Sequence, residues 1–173
     1  MRHLFGRAAA AMSLVAVGVA MPAGPASAQA DKNLLGAWTI VSITVEQGDK
    51  KSEPYGPNVK GTQVFDANGR FAVVVMRGDL PKVASNNRET ATPEESQQIA
   101  RGSLAYFGSY TTNETDKSMT LQIESATLAN WNGTTQKRLY VITGDQMTLT
   151  NPTTSAGSGV AKVVLKRAGN KTM

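Results

Sequence analysis

The chain has 173 residues, with 18 Lys and Arg against 13 Asp and Glu, a formal net charge of +5 and no Cys. Disulfides and Cys-based catalytic or metal sites are therefore excluded. The basic residues stand singly or in pairs, which argues against a nucleic-acid-binding face.

Residues 1–28 have the pattern of a secretory signal peptide. Arg2 and Arg7 give a positively charged start, which is followed by a run of small apolar residues. ASA at 26–28 is an A-x-A cleavage site. The apolar run is too short for a stable transmembrane helix, which is the alternative interpretation. We therefore expect a mature chain that begins at Gln29 and is periplasmic or secreted, with no stable membrane insertion.

The first patterned run of the remaining domain, residues 29–173, is LLGAWTIVSITVE at 34–46. Its content of Val, Ile and Thr favours a β-strand. Simple alternation gives the strand two faces. One face would carry Trp38, Ile40, Ser42 and Thr44, and the other Thr39, Val41, Ile43 and Val45.

A loop, a hairpin and a helix are predicted next. PYGPN at 54–58 contains two prolines, which cannot donate ladder hydrogen bonds. Two β runs within 61–77 flank the turn DANG at 66–69, whose Asn-Gly pair is typical of hairpins. After an irregular stretch, Thr92, Pro93 and Glu95 form the pattern of a capping box that begins a helix of about ten residues.

Five further strands complete the prediction, at 104–112, 118–125, 136–143, 146–151 and 160–167. The total is eight strands and one short helix, mostly joined by links too short for parallel crossovers, so the strands should be antiparallel. Eight such strands favour an all-β, up-and-down barrel that can enclose one small ligand. A two-sheet sandwich is the competing fold.

Several short motifs resemble the bacterial and fungal lipocalin-like domain family, whose members are single-domain, calycin-type proteins. The resemblance runs from about 34 to 167, nearly the whole predicted mature chain. The motifs are LLGAW (34–38), PYGP (54–57), DANGR (66–70), PKVASNNR (81–88), TPEE (92–95), AYFGSY (105–110), NWNGT (130–134), QKR (136–138) and LKR (165–167).

The resemblance implies an eight-stranded antiparallel calycin barrel with an interior cavity and one closed end. It further implies that Gly36, Trp38 and Arg167 close the barrel, with Trp38 as the floor and Arg167 across its indole ring. It does not imply a settled function. Relatives often carry a His in the strand matching 119–125, which this chain lacks, so any His-dependent activity cannot be transferred.

The residues left after processing offer little catalytic chemistry. The single His is His3, within the predicted signal peptide, so no Ser-His-Asp triad or His-based zinc site remains. The adjacent acids Glu94 and Glu95 would not face each other on a helix, and no glycine-rich phosphate loop is present. We predict no catalytic residue, no metal and no cofactor.

Candidate ligand-binding residues are aromatic or can donate hydrogen bonds. Tyr106 and Tyr110 should share one strand face, with Gly108 leaving a dent between their hydroxyl groups. Asn130 and Trp131 lie in a loop, where the indole either folds onto the barrel rim or covers the mouth. The remaining candidates are Tyr55, Phe71 and Arg138.

An inward-pointing Arg138 must either pair with an acid or meet an anionic ligand group. Glu124, on the preceding strand, is the candidate acid. The two possibilities depend on which way each side chain points, which the sequence leaves open.

Three functions are compatible with this pattern. The first is an exported, monomeric barrel that binds a small apolar or amphipathic molecule. The second is an isomerase or cyclase that uses Tyr, Glu and Arg in a dry cavity. The third is a filled barrel with a structural or interaction role. An aliphatic cavity would favour the first, convergent polar groups with perturbed pKa values the second, and no cavity the third.

Overall fold

The computed structural model describes residues 31–152 and 154–169. Nine strands and one α-helix occur in these ranges, and the predicted signal peptide lies outside them. The elements are β1 (Gly36–Gln47), β2 (Lys50–Ser52), β3 (Lys60–Phe65), β4 (Arg70–Met76), α1 (Pro93–Gly102), β5 (Ser103–Asn113), β6 (Ser118–Ala126), β7 (Thr135–Thr143), β8 (Gln146–Asn151) and β9 (Val160–Arg167).

Eight of these strands close into one antiparallel barrel. The order is β1-β3-β4-β5-β6-β7-β8-β9, and β9 pairs again with β1. The three-residue β2 only extends a ribbon from the end of β1. The predicted eight-stranded barrel with one short helix is thus confirmed, and the sandwich alternative is wrong because β1 joins both β3 and β9.

The connections give the barrel two different ends. At one, which we call the closed end, the turns at 66–69, 114–117 and 144–145 are short. At the other, the open end, lie α1 and the longer loops at 53–59, 77–92, 127–134 and 152–159. Access to the interior is therefore determined by the segments at the open end.

Helix α1 begins where the capping box predicted. The Glu95 amide donates to the Thr92 hydroxyl oxygen at 3.2 Å, and the Thr92 amide donates to the Glu95 carboxylate at 2.9 Å. The same carboxylate accepts from the amide of Ala84 at 2.9 Å. The helix start is thereby tied to the preceding loop at the open end.

The alternation predicted for β1 is right as far as Ile40 and wrong beyond it. Ile40 pairs with Leu165, but the next paired residue is Ser42 opposite Val164, so Val41 is an extra residue in a β-bulge. Beyond the bulge, the side chains that point into the barrel are therefore one position later than simple alternation predicts. The inward, buried residues are Trp38, Ile40, Ile43 and Val45.

Large side chains fill the closed-end half of the barrel. The six that define this layer are each no more than 2% exposed: Trp38, Phe65, Met119, Tyr140, Met147 and Leu165. These buried side chains belong to one hydrophobic cluster, and interiors packed in this way leave few voids. The interior cavity formed by the described residues lies nearer the open end.

Candidate ligand-binding site

A cavity occupies the open-end half of the barrel. Its empty space, mouth included, is about 550 Å3, of which about 50 Å3 admits the centre of a water molecule. The cavity is therefore narrow. The apolar wall is formed by Ile40, Ile43, Val45, Pro54, Val73, Val75, Leu104, Trp131, Leu149, Ala156, Ala161 and Val163.

A buried guanidinium group interrupts this apolar wall. Arg138 is 2% exposed and lines the cavity from β7. Its Nη1 donates to the Tyr106 hydroxyl oxygen at 2.7 Å, and its Nη2 donates to Gln136 Oε1 at 2.8 Å. No ion pair within the described residues involves Arg138, and no Asp or Glu among them lines the cavity.

Of the two alternatives for Arg138, pairing with Glu124 is wrong. Glu124 points outward because it alternates with the inward Leu121 and Ile123. On the outer surface it pairs with Arg70, whose Nη1 and Nη2 contact its two carboxylate oxygens. Arg70 lowers the pKa of the Glu124 carboxyl below its usual value. Arg138 and Glu124 therefore lie on opposite faces of the sheet.

Three buried polar atoms of the described residues lack a hydrogen-bond partner, and all three belong to residues that line this cavity. They are Arg138 Nε, Gln63 Nε2 and Asn151 Oδ1. Buried polar groups in proteins are rarely left unsatisfied, and clusters of exceptions require an explanation. These side chains form the polar part of an otherwise aliphatic interior.

Gln63 and Arg138 lie on opposite walls of the barrel. Three strands separate β3 from β7 in either direction around the ring, so the two strands are on opposite walls. Gln63 is 2% exposed and is paired in register with Trp38 and Val73. Asn151 is the last residue of β8, and the register of β7 and β8, with Leu139 opposite Thr150, places it beside Arg138.

Tyr106 is held by aromatic neighbours on two sides. Its ring makes edge contacts with Phe71, at a centroid distance of 5.9 Å, and with Trp131, at 5.3 Å. The Arg138 guanidinium lies 5.3 Å from its ring centroid. These contacts fix the hydroxyl that accepts the hydrogen bond from Arg138.

Trp131 and Tyr55 are at the mouth of the cavity. Trp131 ends the short 3₁₀ turn Ala129–Trp131, packs against the core and lines the cavity. The Tyr55 hydroxyl oxygen lies 3.5 Å from Ser155 Oγ, and this contact joins two of the open-end loops. Burial raises the pKa of Tyr55, which keeps its phenol protonated.

Three predicted site residues lie away from the cavity lining. Asn130 is exposed on the 3₁₀ turn, and Phe71 packs beneath Tyr106. Tyr110 packs against Phe65 and donates to the Asp66 carbonyl at 2.8 Å. Burial raises the pKa of Tyr110 to about 12. Of the seven predicted ligand-binding residues, the structure thus brings four together, Tyr55, Tyr106, Trp131 and Arg138.

The predicted dent at Gly108 is wrong. A Cβ at this position would lie 1.9 Å from the Gln122 carbonyl oxygen, because β5 and β6 approach closely at a bulge after Phe107. Glycine is needed there for the strand contact and not for a ligand.

The closed end has the contacts that the family resemblance implies for Gly36, Trp38 and Arg167. The Arg167 guanidinium lies 4.2 Å from the centroid of the buried Trp38 ring. It also donates to the Leu35 and Asn33 carbonyls at 3.0 and 2.8 Å. Gly36, with a φ of 107°, adopts a conformation that other residues rarely take.

Sequence reasoning missed Gln63 and Asn151. Both follow the inward phase of their strands, two residues from Phe65 and Leu149 respectively. This spacing from inward apolar residues was the signal in the sequence that could have identified Gln63 and Asn151 as inward-pointing. The signal is easily missed, because polar residues in a barrel strand are ordinarily assigned to the outer face.

The described residues contain no helix long and apolar enough to cross a membrane, and no group of three or more acidic or His residues arranged to hold a metal ion. No match was found among curated proteins. A family model described as a lipocalin-like domain matches residues 35–167, which covers all the barrel strands from β1 to β9. The chain therefore belongs to the lipocalin-like domain family.

Proposed function

We propose that this protein binds a small, mainly apolar molecule inside the open-end half of its barrel. The observation that carries the proposal is the cavity itself, with an aliphatic wall and a few buried polar groups. That combination is typical of small-molecule binding sites. Membership of the lipocalin-like family agrees with such a role.

The lining favours binding over catalysis. The titratable side chains in the described cavity lining are Tyr55, Tyr106 and Arg138. A raised pKa makes the Tyr55 phenol a hydrogen-bond donor and a poor base at neutral pH. The groups present can therefore hold and orient a ligand, whereas a proton acceptor for an isomerase or cyclase is missing from the described lining.

The narrow interior restricts the ligand's shape. A slender aliphatic molecule fits the space best, and a wider one would have to displace Tyr55 or Trp131 at the mouth. An alkyl chain that buries roughly 250 Å2 gains about 6 kcal/mol before association costs. Because association costs subtract from this gain, we expect a dissociation constant for 1-octanol that is weaker than about 0.1 mM.

Calorimetric titration with 1-octanol tests the proposal, using two variants that add the same side chain on opposite faces of β4. Val73 lines the cavity and Val74 points outward. Val73→Phe should weaken binding at least tenfold, because the ring occupies the cavity. Val74→Phe should bind like the wild type. Circular dichroism establishes that both variants are folded.

Saturable one-to-one binding that only Val73→Phe reduces supports a ligand site in the barrel. Absence of saturable binding to the wild type contradicts it, and would favour a filled barrel with a structural role. Equal weakening by both variants would also contradict it, because the binding surface would then lie outside.

We propose in addition that the protein acts outside the cytoplasm. The support is the pattern of residues 1–28, with its basic start, small apolar run and ASA sequence. Mass analysis of the protein recovered from its own cells is the test. A chain that begins at or near Gln29 is expected, and an intact N-terminus would contradict export.

A further inference from the structure

We infer that the ligand carries a carboxylate, which is held in the middle of the barrel by Arg138 with Gln63 opposite, while its apolar tail points to the open end. This inference rests on the proposed function and specifies the class of ligand. It is carried by the three buried polar atoms without partners and by the absence of any acid in the described lining.

The charge of Arg138 is the first argument. A buried guanidinium without a carboxylate costs free energy, since hydrogen bonds to neutral groups replace its hydration only in part. The described structure supplies two neutral acceptors, Tyr106 and Gln136, and leaves Nε without one. A ligand carboxylate would supply both the missing charge and an acceptor. Arginine suits this group because its planar fork matches two carboxylate oxygens.

The position of the unpaired groups is the second argument. On β7, Arg138 lies between Gln136, toward the open end, and Tyr140, which belongs to the filled closed-end half. A head group at Arg138 therefore cannot extend its tail toward the closed end. The aliphatic wall continues only toward the mouth, past Val75 and Ala161.

Gln63 supplies the third argument. Its amide has no partner for Nε2, and it lines the same cavity as Arg138 from the opposite wall. An amide can present either its nitrogen or its oxygen after a half-turn, so it can donate to a carboxylate oxygen. Asn151, which the register of β7 and β8 places beside Arg138, can contribute a further polar contact to the same head group.

A free inorganic or short organic anion has the same chemistry as a ligand head group. The aliphatic wall favours a carboxylate with an apolar tail, since acetate alone would leave that wall unused. Comparison of octanoate, 1-octanol and acetate separates the charge from the tail. The alcohol keeps the tail without the charge, and acetate keeps the charge without the tail.

The matched variants are Arg138→Gln and Lys137→Gln. Lys137 is the preceding residue on β7, points outward and pairs with Asp116 at 2.8 Å, so its substitution removes the same charge from the outer surface. Calorimetry should show octanoate binding at least tenfold more tightly than 1-octanol to the wild type and to Lys137→Gln. In Arg138→Gln this preference should fall to about twofold or less, and 1-octanol should bind as before.

The outcomes separate the two proposals. Failure of both octanoate and 1-octanol to bind would contradict the proposed function. Binding of 1-octanol without a preference for octanoate would overturn the carboxylate inference alone. A preference that survives in Arg138→Gln would overturn the assignment of Arg138, and acetate binding as tightly as octanoate would show a site for a free anion only.

A measurement on the wild-type protein covers the case in which Arg138→Gln does not fold. The Nε–H resonance of Arg138 should shift downfield on addition of octanoate, because this unpartnered group gains a charged acceptor. Addition of 1-octanol should shift it much less. No shift of this resonance at saturating octanoate would overturn the inference.

Discussion

At the scale of single residues, Arg138 provides a polar site in the interior, and burial of its charge lowers the stability of the fold. Its guanidinium is buried without a carboxylate among the described residues, whereas a Met side chain of similar length would fit without desolvating a charge. Sites of this kind are retained for function at a cost in stability.

We therefore expect Arg138→Met to leave the free energy of unfolding of the ligand-free protein unchanged or to raise it by up to about 3 kcal/mol. Urea denaturation followed by circular dichroism measures the change. A decrease of more than about 1 kcal/mol would show that the bonds to Tyr106 and Gln136 outweigh the desolvation of the charge, contrary to this account.

The closed end depends on Trp38 and Arg167. Trp38→Ala should lower the free energy of unfolding by about 3–5 kcal/mol, because a fully buried indole leaves a cavity. Arg167→Ala should lower it by about 0.5–2 kcal/mol through loss of the contact with the ring. Denaturant titrations compare the two. A neutral Trp38→Ala would contradict the role of Trp38 as the floor.

The sequence predicted the types of the site residues better than their directions. Arg138 points inward while its apolar neighbours Leu139 and Val141 are 48% and 62% exposed, which is the opposite of the usual hydrophobic pattern. Glu124, by contrast, could have been assigned outward from its alternation with Leu121 and Ile123. The direction of β7 is set by closure of the whole barrel and not by its own composition.

At the scale of the elements, local chemistry determines where α1 begins. Thr92 accepts from the amide of Glu95, so Thr92→Ala should lower the free energy of unfolding by about 1 kcal/mol. Thr92→Ser keeps the hydroxyl and should restore most of the loss. Urea denaturation of the three proteins tests this, and a wild-type value for Thr92→Ala would show that the cap contributes nothing.

The same cap should make stability depend on pH. Backbone amides of Ala84 and Thr92 donate to Glu95 and lower the pKa of its carboxyl below 4.5 in the folded state. The stability that this carboxylate contributes is therefore present above pH 4.5 and is lost as the pH falls through its folded pKa. An NMR titration of the Glu95 carboxyl should give a midpoint below 4.5, and a midpoint above it would contradict the capping role.

Strand and helix positions were predicted well because turn and capping residues act locally. The hairpin around 66–69 and the helix after Thr92 are examples. The bulge at Val41 was not predicted, because it exists only in the pairing of β1 with β9, far along the chain. The close approach that requires Gly108 likewise depends on β6. Long-range pairing, not local propensity, decides such features.

At the scale of the whole molecule, the barrel has two halves with different roles. Large side chains fill the closed end, while shorter aliphatic residues leave space toward the open end. The number of strands allows an interior of this size, and the side chains determine which part of it stays empty. The antiparallel barrel could be predicted from eight short runs, whereas the position of the empty half could not.

The central claim, that the empty half binds an apolar molecule, is tested most directly by intermolecular NOEs between 1-octanol and the protein's methyl groups. We expect NOEs from the octyl chain to Val73, Leu149 and Val163, which line the cavity. No NOEs are expected to Val41 or Val141, which are exposed on the outer face. NOEs confined to those outer valines, or no NOEs to the three lining residues at saturating 1-octanol, would contradict it.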